Sequence, residues 1–442
     1  MMKRRAAVPV FLVLVLSAQV IAAEGERPPN IIVILADDLG YECIGANGSQ
    51  SYKTPVLDRL AATGMRFTHC YSQPLCTPTR VQLLTGLYNK RNYIRFGLLD
   101  PQATTFAQIF RQAGYATCVA GKWQLSGGVD APKQFGFDEY FLWQLTVRKS
   151  RYSNPVLEKE GRIIEYTNGE YGPELICDYL VDFITRHKDR PFLAFYPMML
   201  THSPYEPTPD SPDYDRKLND ETRGRRNPKY FGGMVEYMDK NVGRILERLD
   251  ALKIRENTLV IFTGDNGTGV GVTSRIADRD FPGGKGQTTD AGMHVPLIVN
   301  WPGRIPAGRI NSSLIDSTDF FPTMLEAAGV TRPATLALDG QTFFPQLMGH
   351  PGEPRDAIYC WYSRNGGATG AEFAANHQFK LYADGRLFDI AKDPRETSPL
   401  PESNEIAGAA QARMSLRKVL DEYKEARPQS ISEQGRRNRG EK

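Results

Sequence analysis

The run Asn30–Ala36, NIIVILA, constrains this chain most. Six apolar residues follow Asn30 without alternation, far too few to cross a membrane. A strand apolar on both faces must be covered on both. That is the situation of a central strand in a sheet sandwiched by helices. The later stretches fit the same plan. Helical spacing covers 54–63 and stops at Gly64; it covers 104–113 and stops at Gly114. A third helix is predicted over 173–187, with Pro173 at its start. Residues 229–252 form a long amphipathic pattern, and 316–328 a helix ending at Gly329. Between these lie the β-rich runs 115–120, 191–197, 258–263 and 295–300. Strands alternating with helices predict an α/β domain: a mostly parallel central sheet with helices on both faces.

The pattern changes near residue 330. Short strands are expected at 358–362, 378–382 and 386–390, around the turn signal Asp384-Gly385, and a polar helix over 404–426. This predicts a large α/β domain over 24–330 and a small C-terminal α+β subdomain with an antiparallel sheet over 331–426. The polar end, 427–442, carries Arg436, Arg437 and Arg439 and reads as a disordered basic tail. At the other end, Lys3, Arg4 and Arg5 precede an apolar run over 6–16, with Ala22 and Ala23 beyond it. This is the pattern of a cleaved signal peptide, 1–23, so the protein is expected to be exported, periplasmic or secreted, without a membrane span after cleavage. Losing three basic residues takes the formal charge from +3 to zero, which offers no footprint for nucleic acid. The six cysteines form no C-x-x-C pair and are too sparse for a disulfide scaffold; their pairing is left open. Residues 143–171, rich in Arg, Tyr and Gly, read as a surface insertion near the site or as a long loop.

Open α/β sheets bind ligands beyond the carboxyl ends of their strands. Asp37-Asp38 follow the first strand, and Gly121-Lys122-Trp123-Gln124 follow 115–120. The loop carrying His202 follows 191–197, and Gly264-Asp265-Asn266-Gly267 follow 258–263. Asp37, Asp38, Asp265 and Asn266 offer hard oxygen donors, which suit Ca²⁺ or Mg²⁺ rather than zinc. In Cys76-Thr77-Pro78-Thr79-Arg80, Pro78 can open a helix, placing Cys76 just ahead of an N-terminus that favours an anion. Arg80 then lies one turn on.

The segment Cys76-Thr77-Pro78-Thr79-Arg80, with Leu84-Thr85-Gly86, resembles the signature of the type I, formylglycine-dependent sulfatases of the alkaline phosphatase superfamily. Asp37-Asp38-Leu39-Gly40 and Gly264-Asp265-Asn266-Gly267 resemble that family's two metal motifs. Gly121-Lys122-Trp123, Thr201-His202-Ser203-Pro204 and Gly283-Gly284-Lys285-Gly286 are similar to its sulfate-contact motifs, in the family's order. Gly385-Arg386-Leu387-Phe388-Asp389, followed by Asp393-Pro394, resembles its C-terminal subdomain.

The resemblance implies a sulfuric ester hydrolase acting on sulfate monoesters of a small molecule or, more narrowly, a sulfated carbohydrate. Cys76 would be oxidised to Cα-formylglycine by a maturation enzyme, and the hydrated aldehyde would attack sulfur. Asp37, Asp38, Asp265, Asn266 and modified Cys76 would hold Ca²⁺, with Mg²⁺ the lesser expectation. Lys122, Lys285 and Arg80 would neutralise charge developing on the sulfate, and His202 would serve the leaving oxygen as an acid. One position departs from the pattern. The family's Gly-Lys-Trp-His reads Gly-Lys-Trp-Gln here, and Gln124 cannot take a proton at neutral pH. His294 is the alternative base by motif, with a structural or substrate-binding role as the other reading. Two rival functions share these motifs: a phosphonate or phosphodiester hydrolase, and a catalytically weak protein that binds sulfated glycans. Arg91, Tyr93, Arg95, Arg148, Arg151 and Tyr152 either line a sugar site or form ordinary solvated surface.

Overall fold

The structure, a computed structural model, describes residues 27–217, 227–401 and 406–437. The expected signal peptide lies outside these residues. Twelve strands precede residue 330: β1 (Asn30–Ala36), β2 (Met65–Tyr71), β3 (Ala116–Lys122), β4 (Glu139–Trp143), β5 (Val156–Lys159), β6 (Arg162–Glu165), β7 (Phe192–Pro197), β8 (Thr258–Gly264), β9 (Thr273–Ile276), β10 (Arg279–Pro282), β11 (His294–Asn300) and β12 (Arg309–Asp316). Ten of them make one sheet in the order β12-β2-β11-β8-β1-β7-β3-β4-β5-β6, while β9 and β10 form a separate hairpin. The centre, β8-β1-β7-β3-β4, is parallel throughout. β11 runs antiparallel to both its neighbours, and the β4-β5-β6 edge is antiparallel, so the sheet is mixed around a parallel core.

All seven residues of β1 are buried, as its unalternating run requires. Ile31, Val33 and Leu35 belong to the core on one face, and Ile32, Ile34 and Ala36 to the core on the other. Burying each large aliphatic side chain contributes about 1.5–3 kcal/mol, so this strand anchors both layers. Helices Pro55–Ala62, Gly172–Arg186 and Phe231–Ala251 cover the second face. Helices Cys76–Thr85, Phe106–Gln112 and Phe320–Ala328 cover the first.

The C-terminal sheet is four-stranded and antiparallel: β13 (Ile358–Tyr362), β14 (Ala371–Ala375), β15 (Phe379–Tyr382) and β16 (Leu387–Asp389). Helix Ala409–Glu422 packs on it, and their side chains merge with the first core. The expected disordered tail is corrected over its described part. A helix spans Gln429–Arg437, and Ile431 is buried. Arg427 is tied down as well. Its guanidinium lies 4.1 Å from the Trp361 ring centre and donates to the carbonyls of Gly367 and Tyr93. Residues 438–442 lie outside the described residues.

Candidate active site

The strand order explains the gathering of the site. β8, β1, β7 and β3 are parallel neighbours, so the residues leaving their carboxyl ends share one edge. Asp265 and Asn266 follow β8, Asp37 and Asp38 follow β1, and the Thr201-His202 loop follows β7. Lys122 is the last residue of β3, which runs two residues further than its sequence suggested. The close approach there is set by Gly121, at φ +131°; a Cβ would meet the Pro197 carbonyl at 1.9 Å.

Helix Cys76–Thr85 supplies the fifth element. All ten of its residues are buried, and several of the polar ones are hydrogen-bonded within the protein. Thr79 Oγ1 donates to the Leu75 and Asp265 carbonyls, and Gln82 Nε2 donates to Asp316 Oδ1 at 2.7 Å. Cys76 is the first residue of the helix, one position inside the place expected for it.

Charges interlock beneath this helix. Lys122 Nζ donates to Asp37 Oδ1 and Oδ2 at 2.9 and 2.7 Å. Lys285 Nζ donates to both oxygens of Asp38, at 2.7 Å to Oδ2, and lies 3.5 Å from Cys76 Sγ. Arg80 donates to Asp265 Oδ2 at 3.0 Å and to the Lys122 carbonyl at 2.8 Å. Cys76 Sγ sits 3.3 Å from Asp37 Oδ1 and 3.7 Å from Asp38 Oδ1. Burial works against the charge on Asp37, but Lys122, His202 and Arg80 together outweigh it and hold the carboxyl well below its usual range. Asp265 goes the other way: burial and the Asp37 charge push it up to about 6. Burial and Asp265 also raise Cys76 well above an ordinary thiol, so the unmodified cysteine is protonated and a poor nucleophile.

A hard cation fits this donor set. Asn266 Nδ2 donates to Asp38 Oδ1 and the Gly267 carbonyl, while Asn266 Oδ1 is buried with no hydrogen-bond donor. An unsatisfied buried amide oxygen is costly unless something positive meets it. Asp37, Asp38, Cys76 and His202 each bring a ligand atom within 4.8 Å of the others. The oxygens of Asp37, Asp38 and Asn266 among these suit Ca²⁺ or Mg²⁺.

His202 Nε2 lies 3.8 Å from Asp38 Oδ2. Its Nδ1 lies 3.1 Å from Arg151 Nη1 and 2.5 Å from the Ser203 carbonyl. The arginine requires a lone pair on Nδ1 and the carbonyl requires a proton, so these neighbours select opposite tautomers. Burial lowers the His202 pKa well below the usual value, and Lys285, Lys122 and Arg151 add to this against the pull of Asp37; the ring is neutral. Gln124 lines the same cavity, at φ +59°, and accepts from Thr77 Oγ1 at 3.3 Å.

His294 is not brought to the cavity, so the structure corrects its candidacy as the base. It stacks between Tyr41 and Tyr71, 4.2 and 5.1 Å between ring centres, with Nε2 on the Thr68 carbonyl and Nδ1 on Asp290. It heads β11, whose antiparallel direction sets its first residue at the same sheet edge, but its ring is held in this aromatic stack and does not line the cavity. Of the proposed sugar-site residues, Arg148 lines the cavity and Arg151 touches His202. Tyr152 is fully buried against the Met199 and His202 carbonyls, Arg91 pairs with Asp339, and Tyr93 is buried. Arg95 donates to the neighbouring Phe96 carbonyl. Phe96 and Arg364 also line the cavity, and sequence reasoning misses them because neither sits in a motif.

Comparison with known proteins agrees with this geometry. The family described as Sulfatase matches residues 29–330, and the family described as N-sulphoglucosamine sulphohydrolase, C-terminal, matches residues 285–426. N-acetylgalactosamine-6-sulfatase of Canis lupus familiaris is 34% identical over 385 residues, covering 79% of this chain and 72% of that protein. A solved structure described as in complex with its substrate D-glucosamine-2-N,6-O-disulfate has a TM-score of 0.73 at 23% identity, covering 90% of this chain and 99% of that one. The phosphonate monoester hydrolase of Agrobacterium radiobacter shares the fold at a TM-score of 0.65 and 20% identity, covering 90% and 96%. The chain belongs to the sulfatase family of the alkaline phosphatase superfamily, and it is a sulfuric ester hydrolase.

Proposed function

We propose that this sulfatase cleaves sulfate monoesters of a carbohydrate, with a nucleophile made from Cys76 and a divalent cation held by Asp37, Asp38, Asp265, Asn266 and modified Cys76. The observation that carries the reading is the buried, unpartnered Asn266 Oδ1 beside two carboxylates and the Cys76 side chain. Ca²⁺ bound there would supply positive charge opposite the sulfate oxygens. Oxidation of Cys76 to formylglycine by a maturation enzyme would supply a hydrated aldehyde where the thiol is now inert.

The chain's own cations do the rest. Lys122 and Lys285 are held beside Asp37 and Asp38, next to Cys76, so each can donate to the sulfate as negative charge grows on it. Arg80 holds Asp265 and is a positioning residue for it. His202 lines the cavity wall; its ring is neutral, so it can hydrogen-bond the leaving oxygen and relay to it a proton that the ring takes up from water. The relatives' names, an acetylgalactosamine sulfatase and a protein bound to a glucosamine disulfate, support a sulfated sugar as the substrate. The basic, apolar and small-residue order of 1–23 supports an exported protein, periplasmic or secreted.

Matured protein should be assayed on nitrophenyl sulfate beside the matching phosphodiester and phosphonate. Faster sulfate turnover supports the reading. Preference for the phosphorus esters favours the phosphonate hydrolase whose fold it shares. Binding of sulfated glycans with no turnover of any ester would make it a binding protein.

A further inference from the structure

Two arginines line the active-site cavity and, among the described residues, have no side-chain partner. The cavity has a volume of about 330 Å³ and is lined by Arg148 and Arg364 together with Phe96, Val270, Lys285 and Asp38. Arg148 comes from the loop after β4, and Arg364 from the turn between β13 and β14, in the C-terminal subdomain. Both side chains are exposed, and among the described residues neither guanidinium has an ion pair or hydrogen bond. Among those residues the only carboxylate lining the cavity is Asp38, already engaged by Lys285 and Asn266.

The backbone beneath each arginine is fixed. The buried Glu158 carboxylate accepts from the backbone N–H groups of Leu145, Thr146 and Val147, at 3.2, 2.7 and 3.1 Å. Trp143 Nε1 donates to the Lys149 carbonyl at 2.8 Å. Arg148 is therefore held on both sides. Across the mouth, Tyr93 Oη donates to the Arg364 carbonyl at 3.0 Å, and Ser363 Oγ closes the turn on the Gly366 carbonyl at 2.7 Å. Gly366, at φ +70°, lies so near the Ile94 carbonyl that a Cβ would sit 1.8 Å from it. This seats the turn against the stretch of chain that carries Phe96 into the cavity. Two guanidinium groups on rigid supports, with no side-chain partner among the described residues, are preorganised for an anion.

We propose that Arg148 and Arg364 form a second anion subsite, so that the preferred substrate is a sulfated glycan bearing a further negative group, a carboxylate or a second sulfate, beyond the ester that is cleaved. The proposal rests on the hydrolase reading and names the substrate class of that same cavity. Phe96, lining the same cavity, offers an apolar face to a sugar ring. Carboxylate and sulfate both present paired oxygens that a guanidinium binds in a bidentate manner, which a lysine does not reproduce.

The test compares kcat/KM for a disulfated disaccharide, a monosulfated uronate disaccharide and singly charged nitrophenyl sulfate. It uses the wild type, Arg148→Ala, Arg364→Ala and the two lysine variants. The ratio of doubly to singly charged substrate should fall about tenfold per alanine change, through KM, as expected for a charged hydrogen bond. The lysine variants should restore only part of it, and rising salt should erode the wild-type preference. The two disaccharides tell which anion is taken. Calorimetric binding of both to Cys76→Ala gives the same answer without turnover. Arginine-dependent binding with no sulfate turnover sinks the hydrolase reading and supports the subsite. Turnover with the same charge ratio in every variant supports the hydrolase and overturns the subsite.

Discussion

Gln124 is the residue where chemistry and family pattern part. It lines the cavity that holds Cys76, and its amide cannot accept a proton. Among the described residues His202 is the sole imidazole lining that cavity, since His294 is committed to Tyr41, Tyr71 and Asp290 elsewhere. Release of sulfate from the enzyme should therefore be slower than cleavage of the ester. Stopped-flow assays with an activated aryl sulfate are expected to show a burst of phenol, then slower turnover. Gln124→His should raise the steady rate, because general-base catalysis contributes about 10²- to 10⁴-fold where geometry allows. The left-handed backbone at this position tolerates histidine better than most residues, so the variant is a fair test. Absence of a burst, with no gain from Gln124→His, would assign sulfate release to His202. A second expectation concerns Asp37. Asp37→Asn leaves Lys122 buried without its counter-charge, and removing one partner of a buried pair costs about 3–5 kcal/mol. Chemical denaturation should show that loss alongside loss of activity, whereas unchanged stability would mean the pair is not formed.

At the scale of elements, β2 and β11 meet the C-terminal subdomain through a histidine cluster. His69 on β2 lies 4.7 Å from the His377 ring centre and 6.2 Å from that of His294, with Thr68 Oγ1 on its Nδ1. Burial, then the neighbouring His294 and His377, lowers its pKa from 6.5 to about 4, with Asp290 pulling weakly the other way. A base whose folded pKa is depressed binds more protons when unfolded. Stability is therefore full above 6.5 and falls as pH drops toward 4. Urea unfolding at a series of pH values should show that decline, and His69→Gln should flatten it; an unchanged slope would contradict the coupling. The same elements mark what a sequence can and cannot say. β1, β7 and β8 are plain in it, because unbroken apolar runs in a doubly covered sheet leave no other reading. β12 is not: its Asn311-Ser312-Ser313 stretch breaks the alternation at the place where its pairing with β2 is irregular. β14 is hidden because Ala371–Ala375 holds three alanines, and its strand character comes from lying between β13 and β15. The tail helix depends on Ile431 and Arg427 finding partners far away in sequence, which local composition cannot show.

For the whole molecule, the site is the place where the chain's separate motifs become one object. Asp37, Asp38, Cys76, Lys122, His202, Asp265 and Lys285 are each legible as residues beyond strand ends, in glycine-rich loops or opening a helix. Most of their convergence is legible as well, because parallel strands bring the residues beyond their carboxyl ends to one edge. The cavity mouth is not, since Phe96 and Arg364 reach it through the seating of the subdomain turn. Binding of a cation to clustered carboxylates should also stabilise the folded chain as a whole. Exhaustive chelation should lower both activity and Tm, and Ca²⁺ at a hundredfold excess over its Kd should restore about 2.7 kcal/mol. That recovery should be absent in Asp265→Ala; a Tm indifferent to chelator and Ca²⁺ would contradict the metal assignment.

The most direct measurement is the mass of the peptide containing residue 76, taken from protein co-expressed with a maturing enzyme and assayed for sulfate-ester turnover in the same preparation. The account predicts that the peptide has lost its sulfur and gained a carbonyl oxygen, and that turnover scales with the converted fraction and vanishes in Cys76→Ala. A peptide with an intact thiol, in protein that turns over sulfate esters at full rate, would contradict it.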